Sequence, residues 1–409
     1  MDSIIIYLRQ VLVIIIVAIF FSGCVKHTSK TASSEVININ PYESEDSVNL
    51  SEIADSVKCI RLQTDSNNIM GRVREIIVRK KYIYAFDVSQ QIIFVFDKTG
   101  KYVSKLNKRG DGPDEYVFMG PVFIDDNEEF IELIDFKGDK SSKLKYSNIS
   151  FKFIGKEPFP SVNCNSCKRN EGNYYFATQQ LDNIIGGKKT NAGLLITDSK
   201  KNEKTLFDKN IKTDHSSFSP NIESFTINNN NELFMSLMYD NTFYKLVAKE
   251  ALPILTVNFG KYGMDNFIGL KSMGEQLKYI EEMSGLASFP VLNVCNSDIM
   301  AFSYYFKKEG NRMFREEDFR QYFKIKNNDK VYHVKTIKND ITSFPSHVYI
   351  SSYFFNCAHE VWYEDYLIDV IIPSHYFSKS ENDKIFVDGI GEITAYDNPI
   401  VVMMKLKKK

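Results

Sequence analysis

The chain has little of several residue types that would indicate a particular chemistry. It contains one tryptophan, six cysteines and six histidines in 409 residues, and 51 lysines and arginines nearly balance 52 aspartates and glutamates. A near-zero net charge without a basic stripe, apart from the C-terminal lysines, argues against a nucleic-acid partner. The histidines do not recur at metal-ligand spacing, and neither a Gly-x-Ser-x-Gly nor a P-loop spacing occurs. The sequence therefore predicts no metal, no cofactor and no catalytic residue.

The spacing of the cysteines also does not indicate a disulfide framework. Five remain after Cys24, an odd number at irregular spacing: Cys59, Cys164, Cys167, Cys295 and Cys357. Cys164 and Cys167 form a CxxC, but no second pair or histidine pair completes a zinc site. The two thiols could close a local disulfide or remain free. A structural role is favoured over redox catalysis because the βαβ context of a redox CxxC is missing.

The N-terminus has the layout of a secretory signal. Arg9 precedes an apolar run over 11–21, which ends in Ser22, Gly23 and Cys24. Two small residues before a cysteine resemble the lipobox of bacterial lipoproteins. In that family a peptidase cuts before the cysteine, whose thiol then carries a diacylglycerol. The usual leucine three residues before the cysteine is Phe21 here.

This resemblance predicts a signal peptide over residues 1–23 and lipid attachment at Cys24. The alternative is an uncleaved membrane anchor, since 4–23 is long enough to cross a bilayer. Under both interpretations the rest of the chain lies outside the cytoplasm. Residues 24–50 are rich in serine, threonine and lysine, which predicts a flexible tether. No aspartate follows Cys24, and by resemblance to lipoprotein sorting signals this favours the outer membrane, facing the periplasm.

The remaining body, 51–409, consists of short β-rich runs separated by polar turns. Four such runs occupy 73–78, 82–87, 92–97 and 102–106, which predicts one four-stranded antiparallel sheet. Its central runs are apolar on both faces, so both faces must be covered. Sheets stacked around an axis satisfy this requirement.

Comparable four-strand units recur about every 40–60 residues, which is typical of a propeller. Later units are predicted near 122–154, 159–207, 225–259, 291–337 and 347–406. A run over 57–63 is suited to close the ring by pairing with the last blade. Apolar spacing over 265–283 predicts a helical insertion, and 373–398 an excursion before the last strand.

Several stretches are similar to one family. The most specific is Gly-x-Gly-Pro-x-Glu-Tyr at 110–116, supported by stretches at 70–76, 94–101, 239–244 and 397–402. They resemble the six-bladed β-propeller lipoproteins of Bacteroidetes-type cell envelopes. The resemblance implies an all-β, six-bladed fold over 51–409, with a helical insertion near 265–285. It also implies an envelope location and a lipid anchor, but no activity.

The turn at 109–116 is the candidate ligand site. Glycines and a proline give it a fixed shape, and it carries charges and an aromatic ring on Arg109, Asp111, Asp114, Glu115 and Tyr116. It is expected to join the outer strand of the first blade to the inner strand of the second. The competing interpretation is a blade-linking turn whose charges pair with one another or are solvated.

Together these features predict a membrane-anchored binding or protein-interaction module without evident catalysis. Its partners would be the membrane, through the lipid, and an envelope protein or a glycan. One alternative is a lyase or hydrolase acting on a glycan or peptide at the central channel. Another is a structural partner that docks through the helix at 265–283.

Overall fold

The structure, a computed structural model, describes residues 34–138, 140–178, 181–198, 202–208, 223–238, 240–264, 272–308, 315–342, 344, 347–348, 350, 358–378 and 383–407. These residues form six mostly antiparallel sheets, which are the blades of a propeller. The predicted all-β, six-bladed fold is confirmed. The predicted signal peptide 1–23 and Cys24 lie outside the described residues.

An N-terminal segment precedes the first blade. It contains β1 (Glu35–Asn38), a 3-10 turn (Pro41–Glu43), β2 (Glu45–Asn49), the short helix α1 (Leu50–Ile53) and β3 (Ala54–Arg61). β1 and β2 lie parallel to the outer strands of blades 4 and 5, and β3 lies antiparallel to the last strand of blade 6. We call residues 34–61 the outer strap.

The prediction of a flexible tether over 24–50 is wrong where the structure describes these residues. Residues 34–50 are built into the propeller, because β1 and β2 pair with existing sheet edges. Ile39, Val48 and Leu50 are buried as a result. The predicted closing strand at 57–63 corresponds to β3, whose pairing with the last blade closes the ring.

Blades 1 and 2 follow the predicted pattern of four consecutive strands. Blade 1 contains β4 (Val73–Val78), β5 (Tyr82–Asp87), β6 (Ile92–Asp97) and β7 (Tyr102–Leu106), and blade 2 contains β8 (Met119–Ile124), β9 (Phe130–Lys137), β10 (Lys140–Ser147) and β11 (Phe153–Phe159). The four predicted strands of blade 1 match the observed ones at every end. β8 is the innermost strand of blade 2, and β4 is the innermost of the four consecutive strands of blade 1. The short strand Ala358–His359 pairs in parallel with the remaining edge of β4.

Blades 3 and 4 keep the same order, with one addition. Blade 3 contains β12 (Ser166–Asn170), β13 (Asn173–Ala177), β16 (Leu194–Asp198) and β17 (Glu203–Leu206), with the hairpin β14 (Asn183–Ile185) and β15 (Lys188–Thr190) inserted, and blade 4 contains β18 (Phe225–Ile227), β19 (Leu233–Ser236), β20 (Thr242–Val247) and β21 (Glu250–Asn258). A 3-10 turn over Gly260–Tyr262 follows β21.

Blade 5 is preceded by the predicted helical insertion. The helix α2 (Met273–Glu282) is followed by β22 (Leu286–Cys295), β23 (Ile299–Lys307), a 3-10 turn (Glu316–Asp318), β24 (Phe319–Ile325), β25 (Lys330–Lys338) and the short β26 (His347–Val348). The predicted part of the helix at 265–271 lies outside the described residues. Ile280 and Met283 are buried, and Leu277 is half-buried. Over 274–283 no apolar side chain is exposed, and these residues give docking through the helix no support.

Blade 6 differs from the prediction. It contains β28 (Trp362–Tyr363), β29 (Tyr366–Ile371), β32 (Ile400–Leu406) and β3, preceded by β27 (Ala358–His359) and interrupted by α3 (Pro373–Phe377) and the hairpin β30 (Lys384–Val387) and β31 (Gly391–Thr394). The prediction that 347–355 forms the first strand of this blade is wrong for the residues of this range that the structure describes. β26 pairs instead with β25 of blade 5, because β3 occupies the remaining place in blade 6.

Apolar residues on alternate strand positions fill the spaces between neighbouring blades. In β5, Ile83 and Ala85 belong to the core shared with blade 6, whereas Tyr84 and Phe86 belong to the core shared with blade 2. This is the period of two that a strand imposes on its side chains. Each of the six blade interfaces has such a core.

Candidate functional site

The predicted turn at 109–116 joins β7 of blade 1 to β8 of blade 2, as expected. Its ends are fixed by backbone hydrogen bonds from Gly110 N to Tyr116 O (2.9 Å) and from Tyr116 N to Lys108 O (3.1 Å). The Tyr116 ring is fully buried in the core between the two blades, and its hydroxyl donates to Gln91 O at 2.5 Å. Tyr116 is thus an anchor of this turn.

Three of the four predicted charges on this turn have partners close by. Asp111 pairs with Lys137, and Asp114 pairs with Lys108 at 2.5 Å. These lysines lower the pKa values of both carboxyl groups. Glu115 accepts a hydrogen bond from Gly112 N at 2.8 Å. Among the described residues Arg109 has no ion-pair partner. The pairing accounts for these charges without a ligand, and ligand binding here stays a prediction.

A second candidate site lies in the centre of the ring. It opens at the C-terminal ends of the inner strands, opposite to the 109–116 turn. The 109–116 turn precedes β8, whereas Asp125 and Asp126, which follow β8, line a central cavity of about 670 Å³. Most of the lining comes from the ends of inner strands and the turns after them, in blades 1, 2, 3, 4 and 6. It comprises Ile77, Arg79, Val122 to Asp126, Lys168 to Gly172, Ile227, Asn228, Asn229, Asn231, Glu360 and Trp362 to Glu364.

The cavity rim is connected by hydrogen bonds between blades. Each of the following bonds joins one blade to another: Lys81 N to Glu128 Oε2 (2.7 Å), Arg169 to Glu132 Oε2 (2.9 Å), Asn170 Nδ2 to Asn231 O (2.8 Å), Asn229 Nδ2 to Glu364 O (2.8 Å) and Arg79 to Glu360 Oε1 (2.9 Å). Because the turns hold one another, their side chains are positioned before any ligand arrives.

Ion pairs form the floor of the cavity. Arg79 and Glu360 form a bidentate pair, with nitrogen–oxygen distances of 2.5 and 2.9 Å. Lys168 Nζ lies 3.5 Å from Glu75 and 3.8 Å from Glu223. Below them is a small second cavity of about 30 Å³, which Leu292 and Asn293 of blade 5 also line. We call the side chains of Glu75, Arg79, Lys168, Glu223 and Glu360 the channel floor.

The channel floor has perturbed protonation equilibria. Burial disfavours the charge on Lys168, but the carboxylates of Glu223 and Glu75 outweigh this effect and raise the pKa of its ammonium group. Burial raises the pKa of Glu223, although Lys168 acts in the opposite direction. The floor therefore carries one carboxyl group that is harder to ionise than usual and one lysine that stays charged.

Two aromatic side chains complete the cavity wall. Trp362, the only tryptophan of the chain, is 7% exposed and lines both the main and the small cavity. Its indole N–H has no acceptor among the described residues. Tyr363 is half-buried beside it, and Lys98 Nζ lies 4.3 Å from the centre of its ring. Together they form β28, the inner strand of blade 6.

The residues of the channel floor could not be found from sequence spacing. Glu75, Lys168 and Glu223 come from blades 1, 3 and 4, about 50 to 90 residues apart, and no motif links them. The only sequence signal is that these charged residues lie within or beside otherwise apolar inner strands. It can be recognised only once the fold is known. Among the described residues no group of three or more histidine, cysteine, aspartate or glutamate side chains is arranged to hold a metal ion.

Cys164 and Cys167 occur as two separate thiols. Cys167 is buried in β12, in the core between blades 2 and 3. Burial raises the pKa of the Cys164 thiol to about 12 and that of Cys167 well above its ordinary value. Thiols with raised pKa values are poor nucleophiles near neutral pH, which agrees with the structural role that the sequence favoured.

No helix among the described residues has both the length and the apolar character required to cross a bilayer. The membrane prediction rests on residues 1–24, which lie outside the described part of the chain.

Comparisons with known proteins place this propeller in a family. The sequence profile of a family described as a domain of unknown function, DUF4934, matches residues 34–405. No curated protein matches the chain.

Two solved structures share the fold. A presumed exported protein from Bacteroides fragilis NCTC 9343 is 18% identical with a TM-score of 0.65, covering 91% of this chain and 100% of that one. A member of the DUF4221 family from Bacteroides vulgatus ATCC 8482 is 11% identical with a TM-score of 0.53, covering 87% of this chain and 98% of that one. At these identities the likeness extends to the fold alone.

Proposed function

The chain belongs to the family described as a domain of unknown function, DUF4934, and we propose that it is a cell-envelope binding module. In this proposal the central cavity binds a small polar ligand, and a lipid on Cys24 holds the module at a membrane. The single observation that carries the binding role is a cavity of about 670 Å³ at the ring centre, within the ~300–1,000 Å³ range of ligand pockets.

The construction of the rim supports binding. Hydrogen bonds between blades hold the turns around the cavity, so little conformational entropy is lost when a ligand enters. Loops on a rigid scaffold are where binding residues of β-propellers and similar folds concentrate. A rim that is already ordered favours a binding role over a purely architectural one.

The lining chemistry favours a glycan fragment as the ligand. Asparagine and carboxylate groups line the cavity beside Trp362 and Tyr363. Amide and carboxylate groups can exchange hydrogen bonds with several hydroxyls at once, and an aromatic face can cover the apolar side of a sugar ring. A largely apolar ligand would leave these polar groups without partners.

The single tryptophan provides a direct assay. Titration with short saccharides is expected to change the fluorescence of Trp362, because its ring lines the cavity. Tyr363→Ala should weaken that binding roughly tenfold, in line with the loss of one aromatic contact. Tyr396→Ala is the matched control, since Tyr396 is 88% exposed and lies outside the cavity lining. Equal affinity of both variants, or no saccharide binding at all, would contradict the proposal.

The channel floor supports a second candidate function, a lyase or hydrolase acting on the same ligand. Burial raises the pKa of Glu223 although Lys168 opposes this effect, and a carboxyl group with a raised pKa is suited to act as a general acid. Under the binding proposal, a bound saccharide is recovered intact after prolonged incubation. Cleavage by the wild type that Glu223→Gln abolishes would favour the enzyme.

The envelope location is proposed from the N-terminal sequence. The lipobox-like stretch ending at Cys24 supports lipid attachment, and the resemblance to lipoprotein sorting signals supports an outer membrane position facing the periplasm. One structural relative is named as a presumed exported protein, which is compatible with export. A partner protein in the envelope is a further part of this proposal.

Metabolic labelling with palmitate tests the anchor. The wild type should incorporate label and fractionate with the outer membrane, whereas Cys24→Ala should lose both properties. Cys59→Ala is the matched control, because Cys59 lies within β3 of the described fold. Label that persists in Cys24→Ala would refute lipid attachment at this residue.

A further inference from the structure

The charges that line the central cavity divide into two groups, those with ion-pair partners and those without. Every cation of the lining belongs to the first group. Arg79 is paired with Glu360, Lys168 with Glu75 and Glu223, and Arg169 with Glu132. An anionic ligand would therefore have to compete with carboxylates that are already in place.

The second group consists only of carboxylates. Asp125, Asp126, Glu171 and Glu364 line the cavity, and none has an ion-pair partner among the described residues. They lie on the turns that follow the inner strands of blades 2, 3 and 6. Asp125 is half-buried and the other three are exposed. They surround the opening on several sides, and we call them the acidic rim.

Several like charges around one concave opening act together. The low-dielectric walls of a cleft concentrate their field, which raises the local concentration of cations and lowers that of anions. Hydrogen bonds between blades hold part of the acidic rim in place, for example from Asn229 of blade 4 to the backbone of Glu364 of blade 6. Its position relative to the aromatic wall is thus set before a ligand enters.

The wall adds a feature that is independent of charge. Trp362 lines the cavity and is 93% withdrawn from solvent, yet its indole N–H has no acceptor among the described residues. A buried donor without an acceptor is costly in the free protein. The indole ring itself lines the cavity and can cover the apolar side of a sugar ring.

From these observations we infer that the ligand of the central cavity is an amino sugar, a saccharide that carries a protonated amine. The amine is recognised by the acidic rim, and the sugar ring lies against Trp362 and Tyr363. This inference rests on the proposed binding function and names the chemical class of its ligand. A neutral saccharide would lack the charge contact with the rim, and an anionic one would be repelled by it.

The test compares two disaccharides whose amino groups are either free and protonated or acetylated and neutral. A disaccharide of glucosamine and its N-acetylated form are titrated against the protein at slightly acidic pH, and Trp362 fluorescence is followed. The charged form should bind roughly tenfold more tightly, the effect of about one favourable charge contact near water. Its advantage should shrink as salt is added, because exposed charges are screened over about 10 Å at 0.1 M salt.

Variants show whether the acidic rim is responsible. The double substitution Asp126→Asn with Glu171→Gln should abolish most of the preference, so that the ratio of the two affinities falls close to one. Glu45→Gln with Glu203→Gln is the matched control, because it removes the same charge from the outer strands β2 and β17. All four side chains are exposed, and circular dichroism checks that each variant is folded.

The possible outcomes distinguish the amino-sugar inference from the binding function on which it rests. Equal or tighter binding of the N-acetylated disaccharide, or a preference that the rim variant retains, would overturn the amino-sugar inference while the binding function stands. Binding of a lysyl dipeptide but of neither disaccharide would also overturn it, since the amine would then come from a peptide. If none of these compounds nor any neutral saccharide changes the fluorescence, the binding function fails as well.

Discussion

At the scale of single residues, buried tyrosines tie the turns of one blade to the strands of the next. Tyr116 donates its hydroxyl hydrogen to Gln91 O, and Tyr146 donates to Asp114 O at 2.9 Å. Tyr84 donates to Glu128 Oε1 at 3.1 Å. All three rings are fully buried, so each combines apolar packing with one specific polar contact. Tyr116 and Tyr146 fix the blade-linking turn through backbone carbonyls, and Tyr84 holds the turn between β8 and β9 through a carboxylate.

Tyr116→Phe tests this anchoring. The substitution keeps the ring but leaves the buried carbonyl of Gln91 without its hydroxyl donor, which typically costs about 1–3 kcal/mol. We expect the urea midpoint of unfolding to fall, while saccharide binding in the central cavity persists. Tyr396→Phe, at a position 88% exposed, should leave stability unchanged. An unchanged midpoint for Tyr116→Phe would show that the hydroxyl contributes nothing to the fold.

At the scale of elements, the helix α2 depends on contacts at both of its ends. Ser272 Oγ accepts a hydrogen bond from Glu275 N at 3.2 Å, and Glu275 Oε2 accepts one from Ser272 N at 3.0 Å, which is a capping box. At the other end, Lys307 of β23 donates to the carbonyls of Ile280 and Glu281. A cation at a helix C-terminus also interacts favourably with the helix dipole.

Lys307→Met should release the C-terminal end of α2. Lys307 is fully buried, and its loss leaves two helix carbonyls without their donor, at a cost of about 1–3 kcal/mol. Hydrogen exchange should become faster in α2 before the blades are affected. Lys308→Met is the control, because Lys308 is exposed and adjacent in sequence. Equal protection of α2 in both variants would refute the anchoring role of Lys307.

At the scale of the whole molecule, the outer strap joins the ring. β3 supplies the outer strand of blade 6, and β1 and β2 extend blades 4 and 5. Without β3, the strand β32 would expose an unpaired edge that contains the core residues Val401 and Met403. Open apolar edges of this kind invite pairing with other chains.

A pair of deletions tests the role of closure. Removing residues 34–61 should yield protein that aggregates or lacks a cooperative thermal transition, because the ring can no longer close. Removing residues 34–40, and so β1 alone, should leave a folded protein with a single transition at lower temperature. Cooperative unfolding of the longer deletion at the wild-type midpoint would show that β3 is dispensable.

The sequence by itself determined the fold class, because alternation within short strands is a local property. The strands of blade 1 and the apolar spacing of α2 could be located from residues only a few positions apart. The same holds for the fixed shape of the 109–116 turn, which follows from its glycines and proline. The strand predicted at 347–355 for the sixth blade was wrong where it is described, because its pairing with blade 5 is a tertiary contact that local alternation does not encode.

Only the tertiary structure decided which residues form the central site. The tertiary structure also decided the outer strap. β1 and β2 are short and polar, and they form strands because the outer strand of a blade offers them free hydrogen-bonding groups. The channel floor and the acidic rim likewise unite residues from several blades, which ring closure alone brings together. Local pattern specifies each blade, whereas the chemistry at the axis depends on how the blades face one another.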